Sequence, residues 1–293
     1  MEKLFTVKKD DNHKYTDEFE NKESVINILR YYFGVPDKNQ NYDVQHYTKN
    51  RGILPRINKI CQNKCRTLQI KNKPTSQLWF MPYGQQRPIK NVVNSLLTLL
   101  DNNNEFKNIC NEYCFFVALD DDKDIKPYKN VNVKYFKKDK IPIKVQIQNF
   151  ENEIKQGKHK QNNLIVLAGA RLQLGISLNN VDIVVLWNNI MSSDAIFQML
   201  FRSMTEVKSN DCEENTYCNA KKYGFMVDLN PQRALTNVFL FKENLVDKLN
   251  PSENVYKVIG DLITIDEDVL KERYKESERE KYTKDMFDKF YES

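Results

Sequence analysis

Apolar residues fall in short blocks separated by longer polar stretches. Five blocks are nearly continuous: residues 78–81, 114–119, 164–168, 181–187 and 223–229. Short unbroken apolar runs suit strands buried on both faces, as in a parallel sheet. The segments between them carry a helical period. Ile89, Val92, Val93, Leu96, Leu97, Leu99 and Leu100 form one broad stripe, and Ile143, Ile147, Phe150 and Ile154 form another. Pro88 and Pro142 are expected in the first turns of these helices, where a missing N–H costs nothing. Upstream, Val25, Ile28 and Leu29 predict a helix over 24–32 with Ser24 as N-cap, stopped by Gly34 and Pro36. Residues 51–65 read as a second helical stretch, and 232–241 as a helix after the last strand.

Repeated strand–helix alternation predicts an α/β fold, three layers around a mainly parallel sheet. Its span is 71–249. Residues 1–70 are expected to be a helical or irregular flank, and 250–293 a charged, helical tail with mixed signs. Residues 169–180 separate two strands, so a short helix at 171–174 or a loop must carry that crossover.

Composition narrows the picture only slightly. The chain has 293 residues and a net charge of +5, from 45 Lys and Arg against 40 Asp and Glu. That balance permits binding to a polyanion without requiring it. No run of eighteen apolar residues occurs and the first twenty residues lack a signal-peptide core, so a soluble, intracellular protein with no membrane partner is expected. Cys61 and Cys65, like Cys110 and Cys114, are spaced to share a face if helical, and Cys212 and Cys218 lie in a polar loop. No His flanks any pair, which favours reduced structural thiols over a metal site. Three acidic stretches imitate functional sites: Asp17-Glu18 the acidic motif of an ATPase, Asp120-Asp121-Asp122 a strand-end Mg²⁺ site, and Asp266-Glu267-Asp268 the acidic motif again. The first has no apolar strand before it, the second reads as a solvated turn, and the third lies beyond the lobe. Trp79 and Phe80 have the shape to stack on bases, but their place in a strand favours the core.

The stretch 163–206 carries a resemblance. Gly169, followed six residues later by Gly175-Ile176-Ser177-Leu178 and then by VDIVVLW, resembles the fifth motif of superfamily 2 helicases. Gln198 with Arg202 four residues on resembles the sixth. The strand, loop and helix of 78–100 resemble the fourth, which opens the second RecA-like lobe. The likeness spans roughly 52–240, and its wording is closest to helicases of large nucleocytoplasmic DNA viruses. It implies a RecA-like C-terminal motor lobe of a DEAD/DEAH-like, nucleic-acid-dependent ATPase.

Such an ATPase needs a phosphate cradle, G-x-x-x-x-G-K-[ST], at a helix N-terminus. None of the eight Gly opens that pattern, and Gly157-Lys158 is followed by His159. The chain alone is therefore not expected to hydrolyse ATP. Either a partner supplies the ATP-binding lobe, or the chain is a fragment, or it is a degenerate relative; ATP and Mg²⁺ are expected only when it is paired with a first lobe, and no metal site of its own is expected. The resemblance implies Arg202 and Gln198 as catalytic residues, with Arg202 as the finger that meets developing phosphate charge. The family's usual second Arg falls at Thr205 here. It implies Gly175, Ser177 and Arg202 at the nucleotide. Arg87, Lys90, Gly169 and Arg171 are the candidates for the nucleic-acid track. Against the finger role stands an ion pair of Arg202 with Asp194 or Glu206. The implied partners are single- or double-stranded nucleic acid and a lobe with the phosphate loop; the implied location is a viral factory, host cytoplasm or virion. The rival reading is a non-enzymatic nucleic-acid-binding or scaffold protein derived from such a lobe.

Overall fold

The computed structural model describes residues 3–36, 52–65, 76–84, 88–119, 127–169, 172, 178, 181–204, 224–230, 233–234, 236–238 and 240. In chain order its elements are strands β1 (Val7–Lys9) and β2 (Tyr15–Phe19), then helices α1 (Lys22–Phe33) and α2 (Ile53–Cys65). β3 (Ser76–Phe80), α3 (Ile89–Asn102), α4 (Lys107–Glu112), β4 (Tyr113–Ala118) and β5 (Val133–Tyr135) follow. The series ends with α5 (Ile143–Lys155), β6 (Asn163–Ala168), β7 (Ile183–Leu186), α6 (Ser193–Met204) and β8 (Phe225–Asp228). The chain divides into two units, Met1–Leu229 and Asn230–Ser293.

Six strands make one sheet in the order β5-β4-β6-β3-β7-β8, with every pairing parallel. This is the α/β, three-layer architecture around a parallel sheet expected from the apolar runs. Side chains alternate between the faces. Trp79, Phe115, Val117, Ile165, Leu167, Ile183 and Val185 point to one side. Leu78, Phe80, Phe116, Val166, Val184 and Leu186 point to the other. Right-handed crossovers then fix the layers. The step from β3 to β4 moves toward β5 and puts α3 on the first face. Steps toward β8 put α5 and α6 on the second.

That arithmetic leaves the first face with the helices of one crossover, α3 and the short α4, and the N-terminal segment completes it. Phe5, Val7, Phe19, Val25, Leu29, Tyr32, Phe33, Leu54 and Ile57 are buried in the same core as Trp79 and Trp187. Trp79 and Trp187 lie 5.2 Å apart by ring centroid, with Tyr32, Phe33 and Phe5 around them. Trp79 and Phe80 are fully buried, as their core reading expected. Arg30 grips Glu105 through two hydrogen bonds of 2.7 and 2.8 Å, tying α1 to the turn after α3.

One buried amide organises this layer. The Oε1 of Gln77 accepts from the Tyr32 hydroxyl at 2.6 Å and from the Trp79 indole at 2.9 Å. Gln77→Leu keeps the volume but strands two buried donors, each at about 1–3 kcal/mol. A loss of roughly 2–5 kcal/mol is expected in urea titration, and a loss below 1 would show that the network adds nothing.

Several sequence expectations need correction. α1 starts two residues before Ser24; Asn21 precedes it and donates from Nδ2 to the Lys3 carbonyl. Pro88 and Pro142 are N-caps, one position outside the first turn. The first residues include a β-hairpin, β1 with β2, where only irregular chain or helix was expected. β5 and α4 were not anticipated. Cys110 closes on α4 and Cys114 on β4, so the two thiols share no helical face and lie in different core layers. Burial pushes the Cys110 thiol up to about 11 and that of Cys114 up to about 12, as suits inert structural thiols. The helix expected at 232–241 is described only in part, and Asp120-Asp121-Asp122, Cys212, Cys218 and the tail lie outside the described residues.

Candidate functional site

In a parallel sheet the C-terminal ends of all strands form one edge, where open α/β folds bind ligands. β6, β3 and β7 are neighbours in the middle of that edge. They are the strands after which the three helicase-like segments follow, so stretches distant in sequence meet here. The ladder runs past the strands: Met81 N–H donates to the Ala168 carbonyl at 2.8 Å, and Trp187 N–H to that of Phe80 at 3.0 Å.

Gly169 sits at the end of β6. A Cβ there would meet Ile89 Cδ1 at 2.5 Å and Leu119 Cδ2 at 3.6 Å. The missing side chain lets the start of α3 lie over the strand end, which brings the first-turn residue Lys90 to the same edge. Gly169 thus lies against Ile89, the residue before Lys90. Both α3 and α5 enter through Pro, without a side-chain cap, and have no acidic residue in the first turn. Each instead carries a Lys there, Lys90 and Lys144, at the positive end of its helix dipole.

α6 carries Gln198 and Arg202, one turn apart on one side of the helix. Gln198 is exposed and Arg202 half-buried. Partial burial pushes the Arg202 guanidinium down from its ordinary pKa. α6 runs back along the sheet, and its last turn ends at Gly224, just before β8. A Cβ on Gly224 would overlap the Ser203 carbonyl. Arg202 therefore stands near the N-terminal edge, while Gly169 and Lys90 stand at the C-terminal edge. The helix alone spans about 18 Å, so no single phosphate touches both groups. Arg202 and Gly169 thus lie toward opposite edges of the sheet. Asp194 lies two turns before Arg202, about 12 Å along the axis, too far for the ion pair considered from sequence. Glu206, Gly175, Ser177, Arg87 and Arg171 lie outside the described residues.

Asp182 is structural: its backbone N–H donates to the Ser76 carbonyl and its Oδ2 accepts from the Ser76 N–H at 3.1 Å. Asp17 and Glu18 lie in β2, with Glu18 paired to Lys8 at 3.1 Å. Among the described residues no three His, Cys, Asp or Glu side chains gather as a metal site would require. No helix among them is long and apolar enough to cross a membrane. Sequence reading missed Gln146, whose amide makes four hydrogen bonds to the loop before α5; a lone Gln in a polar segment gives no such signal.

No protein-family model matches the chain, and no curated protein matches it. Among solved structures it is similar to the C-terminal part of the Fun30 ATPase domain, at 10% identity and a TM-score of 0.28. The match covers 92% of this chain and 75% of that one. At that score the fold assignment rests on the six parallel strands themselves.

Proposed function

We propose that the chain is the C-terminal motor lobe of a superfamily 2 nucleic-acid-dependent ATPase, working with an ATP-binding lobe that this sequence does not contain and that a partner lobe or chain carries. The observation that supports this is the adjacency of β6, β3 and β7, which gathers the three helicase-like segments on one sheet. In this reading Arg202 is the finger for the partner's nucleotide and Gln198 lines the same face. Gly175 and Ser177 couple nucleotide to track. Arg87, Lys90, Gly169 and Arg171 contact the nucleic-acid backbone. ATP and Mg²⁺ would be held by the partner lobe.

The direct test is binding of the purified chain to a labelled single-stranded oligonucleotide across a salt series. Weak binding with little sequence preference is expected, because backbone contacts carry no base information. Each neutralised phosphate adds about 0.7 to the slope of log affinity against log salt. Contacts at Arg87, Lys90 and Arg171 alone give a slope near about −2. A flat response, or tight binding to one sequence only, contradicts the motor-lobe reading and favours a sequence-specific adaptor.

A further inference from the structure

The end of α6 meets the start of β8 at Gly224. Gly224 directly precedes β8, whose four residues pair with β7 from Ile183↔Phe225 to Leu186↔Asp228. The Phe225 N–H also donates to the Asp182 carbonyl at 2.9 Å, so the ladder sets the backbone beside Gly224. Across from it lies Ser203, fully buried in the last turn of α6. The Ser203 hydroxyl donates to the Leu200 carbonyl at 2.8 Å, within the helix. A Cβ on Gly224 would overlap the Ser203 carbonyl oxygen, lie 2.5 Å from its carbon and 2.8 Å from Ser203 Oγ. Two of those three atoms are main chain and cannot swing aside. Gly224 has no left-handed φ, so the glycine supplies space rather than backbone freedom. Non-bonded carbons rest at about 3.5–4.0 Å, so the bare backbone lets the helix end approach β8 about 1 Å closer than a side chain would allow.

Ser203 directly follows Arg202, whose Nε is buried. An arginine held in this way has little freedom to offset a shift of its own backbone. We infer that Gly224 is a positioning residue for Arg202: by leaving room for the Ser203 carbonyl, it sets where the last turn of α6 rests on β8 and so where the guanidinium is presented. This deepens the motor-lobe reading and takes its catalytic meaning from it. The two sides of the contact are not equally firm. β8 is held as a unit by its ladder to β7. α6 is anchored further up by Ile196 and Met199, both buried against the sheet, and ends at Met204. A side chain at position 224 therefore lifts the last turn rather than moving the strand. A misplacement of about 1 Å in a group that meets reacting charge costs up to about 10²-fold in rate.

The experiment follows the Arg202 Nε–H resonance in the full chain labelled with nitrogen-15 arginine, identified as the one lost in Arg202→Lys. Thermal melting checks that each variant is folded. Gly224→Ala should move that resonance by more than its linewidth and leave Arg30, gripped by Glu105, in place. Gly157→Ala, whose Cβ meets nothing within 4 Å, should move neither. Ser203→Thr crowds the same turn through a buried side chain and should move the Arg202 resonance by a smaller amount. Paired with a phosphate-loop lobe, Gly224→Ala should lower turnover roughly tenfold to a hundredfold with oligonucleotide affinity unchanged. In an Arg202→Lys background it should lower turnover no further, because the two residues act as one unit. An unmoved Arg202 resonance in folded Gly224→Ala overturns the inference whatever the melting temperature, since the contact is then ordinary packing. If Gly224→Ala does not fold, an unmoved resonance in Ser203→Thr overturns it instead. A turnover loss that repeats in full on Arg202→Lys also overturns it, because Gly224 then acts through another group. A moved resonance together with wild-type turnover in Arg202→Lys sinks the motor-lobe reading, while the placement of Arg202 by Gly224 stands.

Discussion

On the proposed motor-lobe function, Arg202→Lys is expected to lower nucleic-acid-stimulated ATP turnover by about 10³-fold or more when the chain is paired with a phosphate-loop lobe. Oligonucleotide affinity stays within about twofold of wild type. The size follows from what a guanidinium finger contributes to phosphoryl transfer, roughly 10³–10⁵ in rate. Lys retains the charge but not the planar fork that grips two oxygens. Affinity is spared because Arg202 stands near the sheet edge opposite Lys90 and Gly169. Turnover and binding, measured on the same preparation, are therefore separable. Wild-type turnover in the Lys variant would return Arg202 to a structural role. A parallel loss of affinity would mean that one ligand reaches both edges, which the geometry of α6 denies.

Gly52→Ala destabilises the fold by about 2–4 kcal/mol. Gly52 holds φ at +127°, a backbone region that side chains strain to adopt. A Cβ there would also lie 2.6 Å from the Gly34 Cα, 2.7 Å from its N and 2.9 Å from the Tyr31 carbonyl oxygen. These are backbone atoms at the end of α1 and cannot swing aside. Gly157 provides the comparison: its φ is +70°, but a Cβ would meet nothing within 4 Å. Gly157→Ala should cost only about 1–2 kcal/mol, the left-handed backbone alone. Urea titration of both variants separates backbone strain from collision. Equal losses would mean that α1 and α2 part easily where they meet.

What was legible in the sequence divides along physical lines. β3, β4, β6 and β7 announce themselves because both faces are buried, so their apolar runs are continuous. β5 has three half-buried residues and offers no pattern. The hairpin hides for a related reason: Val7 and Phe19 are the only fully buried residues in its two strands. The stripe of α1 was visible, but its destination was not. That α1 covers the sheet follows from crossover handedness leaving one face short of helices, and this needs the strand order. Arg202 and Gln198 were singled out by resemblance to a helicase motif, and their four-residue spacing puts them on one side of α6. The edge they occupy was not, because it depends on the direction in which α6 returns. Gln146 was invisible, since what matters is how its amide meets main-chain groups several residues before it.

The aromatic seam has an optical consequence. The chain contains two tryptophans, Trp79 and Trp187, and both are at most 1% exposed in one cluster with Phe5, Tyr32 and Phe33. Their intrinsic emission comes from a single spot, the seam between the hairpin, α1 and the sheet. A red shift on mild denaturation would report that the N-terminal segment has lifted away, before backbone dichroism registers loss of the strands. The molecule thus carries its own fluorophore for following that one step.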